Sequence, residues 1–180
     1  MSNSSKFIQI QYYQSPVGEI VLGSYGNALC LANWRYGNHR ERVEKRVAKA
    51  LKSEYVEETS AVIEETKKQL GEYFLGQRDN FDIPLLMLGT DFQKSVWQAL
   101  LKIPFGKTDS YLEQARSIGK EKAVRAVASA NGANAISILI PCHRIIGSDG
   151  ALTGYAGGLE TKKMLLDLET ASLMRALRSK

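Results

Sequence analysis

The alternation of apolar and polar positions changes character part-way along the chain. FIQIQYYQSPVGEIVLGSYGNALCLANW (residues 7–34) is rich in β-branched and aromatic residues and is divided by the turn-forming stretches SPVG and YGN. It predicts two or three short strands in an antiparallel meander. NHRERVEKRVAKALK then places Val43, Val47, Ala50 and Leu51 at helical spacing with charges between them, the pattern of a surface helix with a solvated charged face. A further helix is predicted in SAVIEETKKQLGEYFLG, with Val62, Leu70, Tyr73 and Phe74 apolar and Gly76 at its end. QRDNFDIPLLMLG (77–89) lacks a helical period, contains Pro84 and reads as a linker.

Beyond it, short helices separated by glycines take over. Thr90, with Gln93 three residues on, is a capping box opening TDFQKSVWQALLK, whose Phe92, Val96, Leu100 and Leu101 form one apolar face. SYLEQARSIG and KEKAVRAVASANG are two short helices about a tight turn at Gly119, the shape of a helix-turn-helix, although many packed cores contain such pairs. AISILI reads as a buried strand ended by Pro141, which cannot continue a ladder. GLETKKMLLDLE closes the pattern as a terminal helix with Met164, Leu165 and Leu168 inward.

Composition adds boundaries. The chain has 180 residues, 44% of them hydrophobic, enough for a buried core. No apolar run approaches the ~18 residues of a membrane span. The start, MSNSSKFIQIQYY, lacks the layout of a signal peptide, so an intracellular protein with no membrane partner is expected. Two cysteines, Cys30 and Cys142, and two histidines make neither a disulfide framework nor a structural zinc site, and Cys142 is expected to be a free thiol. Residues 1–89 carry 11 Lys/Arg against 11 Asp/Glu, and residues 90–180 carry 13 against 8, so the net +5 lies in the second half. That half is the better candidate for meeting a polyanion, with simple solubility as the plainer alternative.

Within it, AVRAVASANGAN offers mostly Ala, Val, Ser and Gly around a lone Arg125. Helices that read bases in the major groove carry several Arg, Lys, Asn or Gln, whereas small side chains suit the minor groove and sequence-independent contact. The same alanines would also suit packing against a neighbouring helix. Next comes PCHRII, which places Cys142 beside His143 at the predicted strand end. A thiol becomes a nucleophile as the thiolate, which needs a base or a positive field nearby. Neighbours on an extended chain face opposite ways, so a direct Cys–His bond requires a turn and a bridging water is an equal route. An inert buried cysteine beside a satisfied histidine remains the ordinary alternative.

PCHRII resembles the active-site signature of the O6-alkylguanine-DNA alkyltransferases, the methylated-DNA–protein-cysteine methyltransferases. FQKSVWQALLKIPFGKT, SYLEQA, KAVRAVASANGAN and GYAGGLETKKMLLDLE recur with that family's spacing, so the likeness spans residues 90–169 almost continuously. It implies a ribonuclease H-like α/β domain over residues 1–85 and a mostly α, winged-helix-like domain with a helix-turn-helix over residues 86–180. It implies Cys142 as alkyl acceptor, His143 as a base acting through water, and Glu169 as the carboxylate on the imidazole Nδ1–H. Asn134 matches the hinge asparagine, Tyr111 the tyrosine at the target phosphate and leaving guanine, and Arg125 the finger that replaces an extruded base through the minor groove. Tyr155 matches a wall of the guanine pocket, while Ser137 stands where some members have proline. Arg144 is expected to make a structural ion pair.

By the same likeness the partner is double-stranded DNA containing O6-alkylguanine, or O4-alkylthymine, repaired once per molecule by a monomer. No cofactor and no metal is expected, since the zinc ligands of some members have no counterpart here. The compartment expected is the cytoplasm, or the nucleus in a eukaryote. Two other readings use the same residues: a cysteine hydrolase with a Cys/His/Glu set, and a non-catalytic damage sensor.

Overall fold

The computed structural model describes residues 6–179; residues 1–5, on which the signal-peptide reading partly rests, and residue 180 lie outside the described residues. The meander forms as three strands, β1 (Ile8–Ser15), β2 (Gly18–Tyr25) and β3 (Ala28–Trp34). Register is set by pairs such as Tyr12↔Val21 and Leu22↔Ala32. After helix α1 (Arg40–Leu51), a two-residue strand β4 (Tyr55–Val56) joins parallel to β1, giving the order β3-β2-β1-β4. Helix α2 (Ala61–Phe74), N-capped by the Ser60 hydroxyl, packs against the sheet through Ile63, Leu70 and Tyr73.

β3 ends the sheet order, yet Leu29–Trp34 are all buried. An open strand edge presents unpaired N–H and C=O groups that need cover. Here the linker covers one stretch, with Leu29 N–H donating to Pro84 O and Leu86 N–H to Leu29 O (both 2.8 Å). Residues 135–137 cover the next, with Ala32 N–H donating to Ala135 O (2.8 Å) and Ser137 N–H to Ala32 O (2.7 Å). The segment before Cys142 is thus stitched to the N-terminal sheet.

The C-terminal domain is helical. Helix α3 (Asp91–Leu100) has the predicted capping box and buries Val96, Trp97 and Leu100, while Leu101 falls past its last turn and is exposed. Strand β5 (Asp109–Ser110) leads into α4 (Tyr111–Ser117), and a 3₁₀ turn at Glu121–Ala123 leads into α5 (Val124–Gly132). Gln114 of α4 and Asn131 of α5 exchange amide hydrogen bonds (2.6 and 3.2 Å), which fixes the helix pair. Strand β6 (Ile145–Ile146) pairs parallel to β5, and α6 (Leu159–Arg178) closes the chain.

Two expectations are corrected. AISILI is buried but is not a strand: Ile136 meets Ala32 in an isolated bridge, Ile138 has φ 72°, and Ile140 N–H folds back to Ile136 O (3.0 Å). An apolar run of this length signals burial and leaves the backbone path open. In α6 the inward stripe is Lys162, Leu165, Glu169 and Ser172, whereas Met164 is exposed. Polar residues occupy part of that stripe, so the apolar pattern points slightly around the helix from its true inner face.

Candidate active site

Pro141 ends the buried run, and Cys142–Arg144 form a single 3₁₀ turn rather than a strand end. The turn lets successive side chains diverge: Cys142 faces a cavity and His143 points into the protein. Asn134, just after α5, holds both ends of the intervening segment. Its Oδ1 accepts from Ile136 N–H (2.9 Å), and its Nδ2 donates to Ile140 O (2.9 Å) and Cys142 Sγ (3.3 Å). The cavity is about 470 Å³ and is walled by Tyr111, Gly132, Ser137 and Tyr155 among others. Burial pushes the Cys142 thiol pKa up, while the Asn134 hydrogen bond and the Lys162 charge pull the other way. Lys162 is fully buried and donates to Thr153 O (2.8 Å).

Behind Cys142, His143 Nε2 lies 2.7 Å from Glu169 Oε1, both side chains fully buried. Burial works to raise the Glu169 pKa, but the His143 and Arg144 hydrogen bonds and charges outweigh it and hold the carboxyl at about 2. Glu169 is therefore a carboxylate at neutral pH and accepts from Nε2–H. Burial lowers the His143 pKa against the pull of Glu169, so the ring is neutral and its Nδ1 carries a lone pair. Nδ1 is buried with no hydrogen-bond partner among the described residues. This corrects the expected Nδ1–H contact to Glu169, because the 3₁₀ turn presents the far nitrogen to α6.

Glu169 collects more than the histidine. Tyr73 Oη (2.8 Å), Arg144 Nε and Nη2 (2.9 and 3.0 Å) and the Gly106 N–H (3.1 Å) all donate to it. Arg144 makes the expected ion pair and also donates to Ile103 O (2.7 Å). Among the matched residues, Tyr111 sits at the start of α4 with Oη near Thr153 Oγ1 (3.3 Å). Tyr155 meets Trp34 of β3 edge-to-face with ring centroids 6.0 Å apart. Gly157 is required beneath that indole, since a Cβ there would lie 2.8 Å from Trp34 Nε1. Arg125 is apart from these, exposed in the first turn of α5 and outside the cavity lining.

The sequence reading missed Lys162, Tyr73 and the Gly106 amide. Lys162 had a signal: it lies seven residues before Glu169, on the same helical face. Tyr73 appeared only as an apolar position, and nothing local marks its hydroxyl as a carboxylate partner.

The 6-O-methylguanine DNA methyltransferase ribonuclease-like domain matches residues 8–87, and the DNA binding domain of the same family matches residues 91–171. A methylated-DNA–protein-cysteine methyltransferase of Methanosarcina barkeri is 46% identical over 89% of this chain and 96% of its own. The chain belongs to the O6-alkylguanine-DNA alkyltransferase family. A second relative of the same name, from Mycobacterium tuberculosis, is 40% identical over 90% of this chain and 92% of its own. The crystal structure of Mycobacterium tuberculosis OGT in complex with DNA superposes with a TM-score of 0.80 at 39% identity, covering 91% of this chain and 94% of that one. The fold class read from the likeness, an α/β ribonuclease-like domain followed by a helical one, is that of the alkyltransferases.

Proposed function

We propose that this alkyltransferase repairs DNA by moving an alkyl group from O6-alkylguanine in duplex DNA, and from O4-alkylthymine, onto Cys142, once per molecule. The observation that carries the reading is Cys142 on the wall of a cavity, with Asn134 on its sulfur and a neutral His143 held by ionised Glu169 behind it. The thiol proton passes through water to His143 Nδ1. The thiolate attacks the alkyl carbon, the S–C bond forms as the C–O6 bond breaks, and guanine leaves with that electron pair. The Tyr111 hydroxyl donates a hydrogen bond to the leaving guanine, which is neutralised by a proton from water, and His143 returns the proton it took to solvent. Lys162 opposes the cost of placing a thiolate where burial disfavours it. The thioether formed has no route back to thiol.

The substrate oxygen lies inside the duplex, so the nucleotide is extruded at a cost of a few kcal/mol. In this reading α5 enters the minor groove, Arg125 fills the vacated stack, and Tyr155 and Ser137 line the pocket for the extruded guanine. Residues 86–180 carry the chemistry and residues 1–85 brace it; the protein works as a monomer in the cytoplasm, or in the nucleus of a eukaryote. No described helix is long and apolar enough to cross a membrane.

Turnover separates this reading from a cysteine hydrolase, and uptake separates it from a damage sensor. With excess O6-methylguanine duplex, product will rise to one equivalent per chain and stop; continued release, or none, overturns the proposal. Arg125→Ala will slow reaction with duplex roughly 10- to 100-fold, in line with the cost of extrusion. Its reaction with free O6-benzylguanine, scaled to the unmutated protein, will stay within about twofold. Equal losses on both substrates would assign Arg125 to the fold.

A further inference from the structure

Charge counted by halves makes the N-terminal half neutral, but its charges are not spread evenly over its surface. On and before α1, Arg35 pairs with Glu19, Arg40 with Glu44 and Lys45 with Glu41. Arg42 and Arg46 are left out of this pairing: neither has a carboxylate partner among the described residues. Both line a recess of about 460 Å³ together with His39, Ser129 and Gly132, and no carboxylate lines it. Arg46 Nε is buried there without a hydrogen-bond partner among the described residues. Two unneutralised guanidiniums in one recess repel each other, and an anion between them relieves that cost.

The location suggests which anion. Arg125, Ser129 and Gly132 are exposed at spacings of four and three, along one face of α5. That face runs from Arg125 at the N-terminal end to the recess at the C-terminal end. The recess also shares His39 and Gly132 with the Cys142 cavity. A helix C-terminus carries partial negative charge and repels phosphate. Here Arg46 Nη2 donates to Ala133 O and occupies that end, leaving Arg42 exposed beside it.

We propose that Arg42, supported by His39 and Arg46, binds a backbone phosphate of the duplex beside the extruded nucleotide, so that the N-terminal domain shares in gripping DNA. The proposal rests on the duplex-repair reading above. The strength of DNA contact is read from salt dependence, since each neutralised phosphate contributes about −0.9 to the slope of log K against log salt on B-DNA.

The test uses the full chain, an unmodified duplex and the variants Arg42→Gln and Lys45→Gln, with circular dichroism and thermal melting to establish that each is folded. Arg42→Gln is expected to weaken duplex binding about 3- to 10-fold at moderate salt and to flatten the slope by about one unit. Reaction with free O6-benzylguanine will be unchanged, and Lys45→Gln, on the same helix but outside the recess, will leave the slope as it was. Wild-type affinity and slope in Arg42→Gln, or an equal flattening by Lys45→Gln, would overturn the proposal. Failure of the unmutated protein to take up any alkyl group would overturn the repair reading instead, and the slopes would still decide the phosphate site.

Discussion

The Cys142→Ala variant, mixed with O6-methylguanine duplex, will take up no methyl group, while binding the duplex as tightly as the unmutated protein. The second cysteine cannot substitute. Cys30 is 1% exposed within β3, points its thiol toward Gly23 O (3.5 Å), and burial pushes its pKa up to about 12. At neutral pH essentially none of it is thiolate, and no nucleotide can reach it. Cys142 also has a burial-raised pKa, but it faces a cavity, accepts from Asn134 and feels the buried charge of Lys162. Removing one half-buried sulfur costs little stability, about 1 kcal/mol. Peptide mapping of the unmutated protein should place the whole adduct on residue 142; methyl on Cys30, or uptake by the alanine variant, would sink the assignment.

Replacing Glu169 by Gln will damage fold and chemistry together. Four side-chain donors and one amide converge on that carboxylate, and an amide side chain turns one acceptor oxygen into a donor facing other donors. Arg144, 7% exposed, then keeps a buried charge without a counter-ion, a loss of the kind that costs about 3–5 kcal/mol. In a chain of this size that lowers the melting temperature by on the order of 10 °C. At a temperature where the variant is folded, transfer should be at least ~100-fold slower on duplex and free base alike, since general-base help to the thiol is lost from both.

The same carboxylate sets an acid limit. Its folded pKa of about 2 lies below the ordinary 4.5, so its contribution to stability is complete above about 4.5 and drains away as pH falls toward 2. Denaturation curves between those values should show the unmutated protein losing stability steadily while Glu169→Gln, already without the charge, loses less. Parallel curves for the two proteins would refute this account.

Much of this centre is legible in the sequence, but not its wiring. The meander, the capping box at Thr90 and the helix pair around Gly119 follow from local chemistry, and the motifs around Cys142 name the reacting groups. What fails is long-range. AISILI looks like a strand because burial and β-branching are all a short apolar run reveals, while its path is set by Ala32, far away in sequence. The imidazole nitrogen that faces Glu169 depends on the sense of a 3₁₀ turn, and Tyr73 reaches the same carboxylate only because α2 packs beside α6. Lys162 was hidden by the expectation that an inward helical face is apolar.

The hydrogen bonds that Ala32 exchanges with Ala135 and Ser137 also bear on how the molecule comes apart. They make the reactive segment a continuation of the N-terminal sheet, with Trp34 seated on Gly157 from the same strand. Detaching one half would strip main-chain partners from the other and open the wall beside Cys142. The seam therefore couples the two domains, and a single calorimetric transition, with calorimetric and van't Hoff enthalpies equal, is expected where two independent domains would give two.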